Sequence, residues 1–280
     1  MAISWYPGHM HKTGKELRKL MTATDAVIEV LDARIPAAGA NPLLAEIAAG
    51  KPALKLLNKS DLADPGATAD WHQHLNTLPH CRCLVLGLNK QDVIESVLRL
   101  LDQLTAEVQP ALGIRKQCVI FGIPNVGKST VMNALAGRKL AQTGNEPAVT
   151  KGQQRIRLNQ SWTLIDTPGM LWPKLADQDA ALRLAMTGSI RQTAIDIEEI
   201  GWLAAEYLQS ALPEVLRQRY ELEESPGDTE ALLSAIARQT GGINRRGDTD
   251  YGKVAQTLLN DYRSGKLGNH TLELPPAGTD

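Results

Sequence analysis

One stretch of the sequence, Gly122-x4-Gly127-Lys128-Ser129, constrains the fold more than any other. It follows a short apolar run from Cys118 to Phe121, which is typical of a buried strand, and it precedes the helix-like residues 130–136. Glycines let the backbone curl so that several N–H groups face one point, and the helix N-terminus adds the positive end of its dipole. The order of strand, glycine-rich loop and helix therefore predicts a phosphate-binding loop in a doubly wound α/β sheet.

The residues of this loop have distinct expected roles. The loop backbone at Val126, Gly127 and Thr130 belongs to the cradle around the phosphates of a nucleotide. Lys128 reaches the terminal phosphates and is a candidate catalytic residue, while the hydroxyl of Ser129 is a candidate ligand for Mg²⁺. The loop thus predicts a nucleotide site that uses magnesium.

A second motif, Asn58-Lys59-Ser60-Asp61, follows the strand-like residues 52–57. The carboxylate of Asp61 can accept from the two donors on the Watson–Crick edge of guanine, which adenine lacks in that arrangement. Lys59 is expected to lie along the base and Asn58 to tie the loops together. Because the same chain carries a phosphate loop, this tetrapeptide predicts binding of GTP and GDP. Gly87, after the strand-like residues 83–86, is assigned to the loop that caps the base by position only, since the usual Ser-Ala pair is missing.

Two further candidates lie downstream of the phosphate loop. Thr150, in a polar segment that contains Gly and Pro, is the natural second protein ligand for Mg²⁺. Asp166-Thr-Pro-Gly169 follows the strand-like residues 162–165. We expect Asp166 to hold the Mg²⁺ shell and the Gly169 N–H to contact the γ-phosphate.

The order of these motifs differs from that of ordinary GTPases, in which the phosphate loop comes first. Here Asn58-Lys-x-Asp61 precedes it, and Asp166-x-x-Gly169 closes the set. The same sheet can be cut and rejoined because domain termini commonly lie close together. We therefore predict a circularly permuted P-loop NTPase domain over residues 1–175, followed by a smaller all-helical C-terminal domain over residues 176–280.

Charge and apolar content indicate where such a chain works. Residues 1–175 hold 20 Lys and Arg against 14 Asp and Glu, whereas residues 176–280 hold 10 against 17. No apolar run is long enough to span a bilayer, and residues 1–11 lack a signal-peptide core. We expect a cytoplasmic protein without a membrane partner. Residues 1–24 form a basic arm, either a functional one or a solvated amphipathic helix.

The chain resembles the circularly permuted GTPases of the RbgA/YlqF family, bacterial assembly factors of the large ribosomal subunit with relatives in mitochondria. The resemblance covers nearly the whole chain, with two departures: Ala148 stands where the family usually has Gly, and Gly87 where Ser or Ala is common. It is carried by Trp5-Tyr-Pro-Gly-His-Met10, Asp32-Ala-Arg-Ile-Pro36, Asn58-Lys-Ser-Asp61, Gly122-Ile-Pro-Asn-Val-Gly-Lys-Ser129, Pro147-Ala-Val-Thr-Lys151, Asp166-Thr-Pro-Gly169 and Gly265-Lys-Leu-Gly268.

The resemblance also implies two roles in catalysis. Met170 occupies the position at which many GTPases carry a water-orienting Gln, and the family implicates His9 instead as the group that positions the attacking water. The alternative is that His9 only caps its turn. Asn125 resembles the residue that coordinates K⁺ in potassium-activated GTPases, and the alternative is a hydrogen bond within its own loop.

For the helical domain the resemblance implies contact with ribosomal RNA. Its net negative charge means that such contact must rest on local cations, for which solvated surface is the alternative. We expect a monomeric GTPase that joins the large ribosomal subunit with GTP and leaves after hydrolysis, with no DNA partner. The second hypothesis is a regulatory GTPase that acts on a protein partner without the ribosome. The candidate cations are Arg183, Arg191, Arg245, Arg246, Arg263 and Lys266.

Overall fold

The computed structural model describes residues 16–87, 93–110, 115–137, 154–169, 171, 177–224 and 226–277. These residues divide into two compact units. Residues 16–171 and 271–277 belong to the first, which we call the α/β unit. Residues 177–270 belong to the second, which we call the helical unit.

A single sheet organises the α/β unit. Within the described residues it has six strands in the order β3-β2-β1-β4-β6-β5, and β5 alone runs antiparallel to its neighbour. This arrangement confirms the predicted doubly wound sheet. The strands are β1 (Ala26–Asp32), β2 (Ala53–Asn58), β3 (Cys81–Val85), β4 (Lys116–Gly122), β5 (Arg155–Arg157) and β6 (Trp162–Asp166).

The register of the parallel strands brings their carboxyl ends to one edge of the sheet. Every residue of β1 is buried, as expected for a central parallel strand covered on both faces. Asp32, the last residue of β1, is the partner of Asn58, the last residue of β2. On the other side of β1, β4 pairs with β6 so that Ile120 lies beside Asp166. The ends of β1, β2, β4 and β6 thus meet where ligands bind in open α/β sheets.

Helices cover the two faces of this sheet. On one face, residues 16–21 (α1) and α2 pack with the strands around Val27 and Phe121, and α3 packs through Trp71 against Leu57. On the opposite face, the Trp162 indole of β6 donates to Asp102 of α4 at 2.8 Å. The helices with complete bounds are α2 (Pro42–Ile47), α3 (Pro65–Thr77), α4 (Val93–Leu104) and α5 (Lys128–Ala136).

The C-terminal segment departs from the predicted domain boundaries. We expected residues 176–280 to form one domain, but residues 271–277 belong to the α/β unit. The Leu272 N–H donates to the Arg34 carbonyl at 2.9 Å, and the Thr271 hydroxyl accepts from the Asp64 N–H at 3.0 Å. Leu272 is buried, so apolar burial and backbone hydrogen bonds together hold the segment against the loop that follows β1.

Two helices of the helical unit, α8 (Pro213–Arg219) and α9 (Thr229–Thr240), have clear local signals at their ends. Pro213 is the first residue of α8, a position that its fixed φ favours. For α9 the flanking signals are present, since Asp228 caps its start and Gly241 follows its end. The helices are α6 (Gln178–Met186), α7 (Ile197–Ala211), α8 (Pro213–Arg219), α9 (Thr229–Thr240) and α10 (Tyr251–Arg263).

The helical unit is held by a close helix pair and by ion pairs to one buried carboxylate. A Cβ added to Gly201 of α7 would lie 2.1 Å from the Ala255 Cβ of α10, so these backbones approach closely. Asp261 is buried and pairs with Arg219 at 2.8 Å and with Lys266 at 3.1 Å. Across the described part of the chain, no helix combines the length and the apolar character needed to cross a bilayer.

Candidate nucleotide-binding site

The glycine-rich loop between β4 and α5 lies at the carboxyl edge of the sheet. Asn125 and Gly127 both have left-handed backbones, with φ of 58° and 91°. A Cβ added to Gly127 would lie 2.3 Å from the Asn58 Nδ2, so only glycine fits there. Gly127 caps α5 without a side-chain hydrogen bond. The first turn of α5, with its N–H groups and positive dipole end, therefore faces the point where the loop curls.

The two sequence motifs that were expected to share a ligand are directly joined. Asn58 is buried, and its Nδ2 donates to the Val126 carbonyl at 2.8 Å. This bond spans 68 residues of sequence, since Asn58 ends β2 and Val126 follows β4. The expected role of Asn58 in tying the loops together corresponds to this contact.

The base-binding motif continues as a short 3₁₀ helix, Ser60–Leu62, with the Asp61 side chain half-buried. Ser60 contacts the end of β3 twice, because its N–H and its hydroxyl both donate to the Leu86 carbonyl, at 3.3 and 3.1 Å. A Cβ added to Gly87 would lie 3.5 Å from the Ser60 hydroxyl. Gly87, assigned by position alone, thus lies beside the motif that carries Asp61.

Lys59 is held by Asp32, which is itself held by Arg34, and sequence reasoning placed neither residue in the site. Its Nζ donates to Asp32 Oδ2 at 2.9 Å, and Asp32 also pairs with Arg34. Burial alone would raise the pKa of the Asp32 carboxyl, but the Arg34 and Lys59 cations hold that pKa well below its ordinary range. The sequence did carry a signal for this placement, namely two charged residues at the end of an apolar strand, in Asp32-Ala-Arg-Ile-Pro36.

Asp166 and Lys128 form a buried ion pair at the phosphate loop, between Nζ and Oδ1. Burial lowers the pKa of the Lys128 ammonium, and the Asp166 carboxylate opposes part of that shift. The other carboxylate oxygen, Asp166 Oδ2, is buried and makes no hydrogen bond to any residue that the structure describes. A buried oxygen of this kind, with the half-buried Ser129 hydroxyl one residue after Lys128, fits the oxygen ligands that Mg²⁺ prefers.

Gly169 lies against the phosphate loop, as a γ-phosphate contact requires. A Cβ added there would lie 3.4 Å from the Pro124 Cα. Between the two ends of this motif, the Thr167 hydroxyl donates to the Ile120 carbonyl at 2.8 Å and anchors the segment to β4. Two predicted site residues, His9 and Thr150, lie outside the described residues.

The candidate cations of the helical unit differ in how they are used. Arg263 donates to the Met186 and Ala185 carbonyls at 2.9 and 2.7 Å, so its charge serves the packing of α10 on α6. Lys266 pairs with Asp261. Arg245 and Arg246 are exposed on the turn between α9 and α10, which makes them the stronger candidates for contact with a polyanion.

The chain is similar to known proteins over nearly all of its length. A sequence model described as 50S ribosome-binding GTPase matches residues 117–212. Ribosome biogenesis GTPase A of Bacillus cereus is 38% identical, with 98% of this chain and 95% of that protein covered. Mitochondrial ribosome-associated GTPase 1 of Bos taurus is 29% identical, with 96% and 88% covered.

Solved structures share the fold. A GNP-bound crystal structure of YlqF from T. maritima has a TM-score of 0.65 at 24% identity and covers 95% of this chain and 100% of its own. A GDP-bound structure of YlqF matches with the same TM-score and identity. The 38% sequence identity to the Bacillus protein, over almost the full chain, shows the family. The chain belongs to the RbgA/YlqF family of circularly permuted ribosome biogenesis GTPases and is itself a GTPase.

Proposed function

We propose that the chain hydrolyses GTP as an assembly factor of the large ribosomal subunit, which it joins in the GTP state and leaves after hydrolysis. The observation that carries this proposal is the hydrogen bond from Asn58 to the Val126 carbonyl, because it joins the base-binding motif and the phosphate-binding motif in a single nucleotide site. The relatives named as ribosome biogenesis and ribosome-associated GTPases supply the ribosomal context.

Guanine selection rests on the residues after β2. Asp61 accepts from the two donors on the guanine edge, Lys59 lies along the base, and Gly87 offers a backbone N–H to the guanine oxygen. The contacts of Ser60 with the Leu86 carbonyl support this assignment, since they bring the Asp61 and Gly87 loops together.

The phosphates are held by the backbone of residues 125–130 and by the Lys128 ammonium. Ser129, Thr150 and Asp166 hold Mg²⁺, which neutralises charge on the β- and γ-phosphates when it is bound. The buried Asp166 Oδ2 supports this donor set. Lys128 pairs with Asp166 here, so GTP binding requires the ammonium to move from that carboxylate toward the phosphates.

Hydrolysis needs a group that orients water, and Met170 cannot do so. We assign this task to His9, whose imidazole accepts a hydrogen bond from the attacking water or donates one to it. K⁺ held by Asn125 supplies positive charge where other GTPases use an arginine finger. His9 thus positions the water, and Asn125 contributes to charge stabilisation through K⁺.

Contact with the ribosome is assigned to the basic arm at residues 1–24 and to Arg245 and Arg246. The acidic balance of the helical unit makes local cations necessary for binding RNA. We propose that the protein is a cytoplasmic monomer, with neither DNA nor a membrane as its partner.

The experiment is GTP turnover with and without purified large ribosomal subunits. We expect the subunits to stimulate turnover by the wild type, and the His9→Ala variant to lose the stimulated part. His11→Ala, a second histidine of the same arm, is the matched control and should keep it. Absence of stimulation in the wild type would contradict the proposed function, and full stimulation of His9→Ala would remove His9 from the mechanism.

A further inference from the structure

Two charged residues at the end of β1 are buried and have no proposed contact with the nucleotide or with Mg²⁺. Asp32 is fully buried and Arg34 is 1% exposed. Both belong to the motif Asp32-Ala-Arg-Ile-Pro36, and neither is expected to contact the nucleotide. Burying charges is unfavourable unless they are paired and hydrogen-bonded, so their position calls for an explanation.

Arg34 holds the Asp32 carboxylate in one orientation. Its Nε donates to Oδ1 at 2.9 Å and its Nη2 donates to Oδ2 at 2.8 Å. The Arg34 backbone N–H also donates to Oδ1, at 3.1 Å. A paired guanidinium–carboxylate contact of this kind fixes geometry as well as charge, because two parallel bonds leave little freedom of rotation.

The carboxylate in turn holds Lys59. Asp32 Oδ2 accepts from the Lys59 Nζ at 2.9 Å, and this side chain remains 24% exposed at the ligand edge of the sheet. Lys59 also has a left-handed backbone, with φ of 59°, which is uncommon for a residue with a Cβ. Such strained residues cluster at ligand sites, where the surrounding structure maintains them.

Backbone contacts from the C-terminal segment support the Arg34 loop from outside. The Leu272 N–H donates to the Arg34 carbonyl at 2.9 Å. Glu273 accepts from the backbone N–H groups of Ala37 and Ala38, at 2.5 and 2.9 Å. The loop that carries Arg34 is thereby fixed at both of its ends, since Asp32 itself belongs to the central strand β1.

We propose that Asp32 and Arg34 are positioning residues for the guanine-binding site, because they hold Lys59 in place before the nucleotide arrives. This inference rests on the proposed role of Lys59 at the base. A free lysine side chain loses rotamer freedom when it is ordered, and preorganisation removes that loss from the binding step. Releasing Lys59 is therefore expected to weaken guanine nucleotide binding by roughly tenfold.

The test compares binding of fluorescent GDP by the full chain in four forms: wild type, Asp32→Asn, Lys59→Met and the double variant. We expect Asp32→Asn and Lys59→Met each to raise Kd by roughly tenfold, and the double variant to match Lys59→Met alone. Asp32→Asn should also raise KM for GTP by more than it lowers kcat. Independent, multiplicative effects in the double variant, or an unchanged Kd for Asp32→Asn, would overturn the inference.

A matched control lies on the same strand. Glu29 of β1 is also a buried carboxylate paired with a lysine, Lys55 of β2, and it lies three residues from Asp32 toward the opposite end of the strand. Glu29→Gln should leave Kd within twofold of the wild type. An equal loss of affinity in Glu29→Gln would mean that Asp32 acts only through the stability of the strand, and the inference would fail.

Two further measurements keep the outcome clear. If Asp32→Asn does not fold, Arg34→Lys serves in its place, because it keeps the charge and loses the paired N–H geometry. It should raise Kd while the Arg34→Lys, Lys59→Met double variant again matches Lys59→Met. A wild type that binds ADP as tightly as GDP would refute guanine recognition itself, which is a separate failure from an unchanged Asp32→Asn.

Discussion

Asn58 and Val126 are joined by a 2.8 Å hydrogen bond between the side-chain amide of one and the carbonyl of the other. The bond connects the end of β2 to the loop that follows β4, across the intervening β1. Asn58 therefore couples the position of the base-binding loop to that of the phosphate loop. A nucleotide that spans both loops benefits from this coupling because neither loop needs to be ordered separately on binding.

Replacing Asn58 by Ala should weaken nucleotide binding. The change leaves the buried Val126 carbonyl without this donor, which costs about 1–3 kcal/mol, or roughly 5- to 150-fold in Kd when it falls on the bound state. The measurement is fluorescent GDP titration. Asn76→Ala is the control, since the Asn76 Nδ2 also donates to a backbone carbonyl, that of His72 at 2.8 Å, but lies away from the loops. Equal affinities of wild type and Asn58→Ala would argue against the coupling.

Asp166→Asn should make nucleotide binding insensitive to magnesium. The variant loses the carboxylate whose buried Oδ2 has no hydrogen-bond partner among the described residues, and it keeps a side chain of the same shape. We expect chelation with EDTA to lower the GTP affinity of the wild type and to leave that of Asp166→Asn nearly unchanged. Asp102→Asn, which alters the acceptor of the Trp162 indole, should behave as the wild type. Full magnesium dependence in Asp166→Asn would exclude this carboxylate from the metal site.

Asn125→Gly should abolish any preference for potassium. Asn125 has φ of 58°, a conformation that glycine adopts without strain, so the substitution removes the amide and preserves the loop. We expect wild-type GTP hydrolysis to be faster in K⁺ than in Na⁺, and the variant to show equal rates at the lower level. Hydrolysis by the wild type at one rate in both salts would contradict the role given to K⁺.

Glu273→Ala should lower the stability of the α/β unit. Hydrogen bonds to a charged acceptor contribute about 1.5–3 kcal/mol each, and Glu273 accepts two from the loop after β1. Urea unfolding of the variant should therefore begin at lower denaturant. Glu46→Ala is the control, because Glu46 is exposed and pairs only at the surface with Arg18, a contact worth less than about 1 kcal/mol. Indistinguishable unfolding of the two variants would mean that Glu273 does not anchor the segment.

Much of the site followed from sequence because its chemistry is local. The strand before Gly122, the helix after Gly127 and the apolar run before Asn58 are each set by neighbouring residues. Parallel strands then bring their ends together without further information.

Other features depend on contacts between distant parts of the chain. The sequence motif alone assigns no role to Arg34. In the fold Arg34 pairs with Asp32, which also pairs with Lys59, a residue that follows Arg34 by 25 positions. The return of residues 271–277 to the α/β unit likewise carries no local signal, since it rests on bonds such as that from Leu272 to Arg34. Pro213 is ambiguous in sequence for a different reason, because proline both ends one helix and suits the first turn of the next.

In the proposed function, the bound nucleotide controls association of the chain with the large ribosomal subunit. The measurement is sedimentation of the purified chain with large subunits, in the presence of a non-hydrolysable GTP analogue or of GDP. We expect the chain to pellet with subunits in the GTP analogue and to remain in the supernatant with GDP. Pelleting to the same extent with both nucleotides, or with neither while GDP binding is intact, would contradict it and favour a regulatory GTPase that acts on another partner.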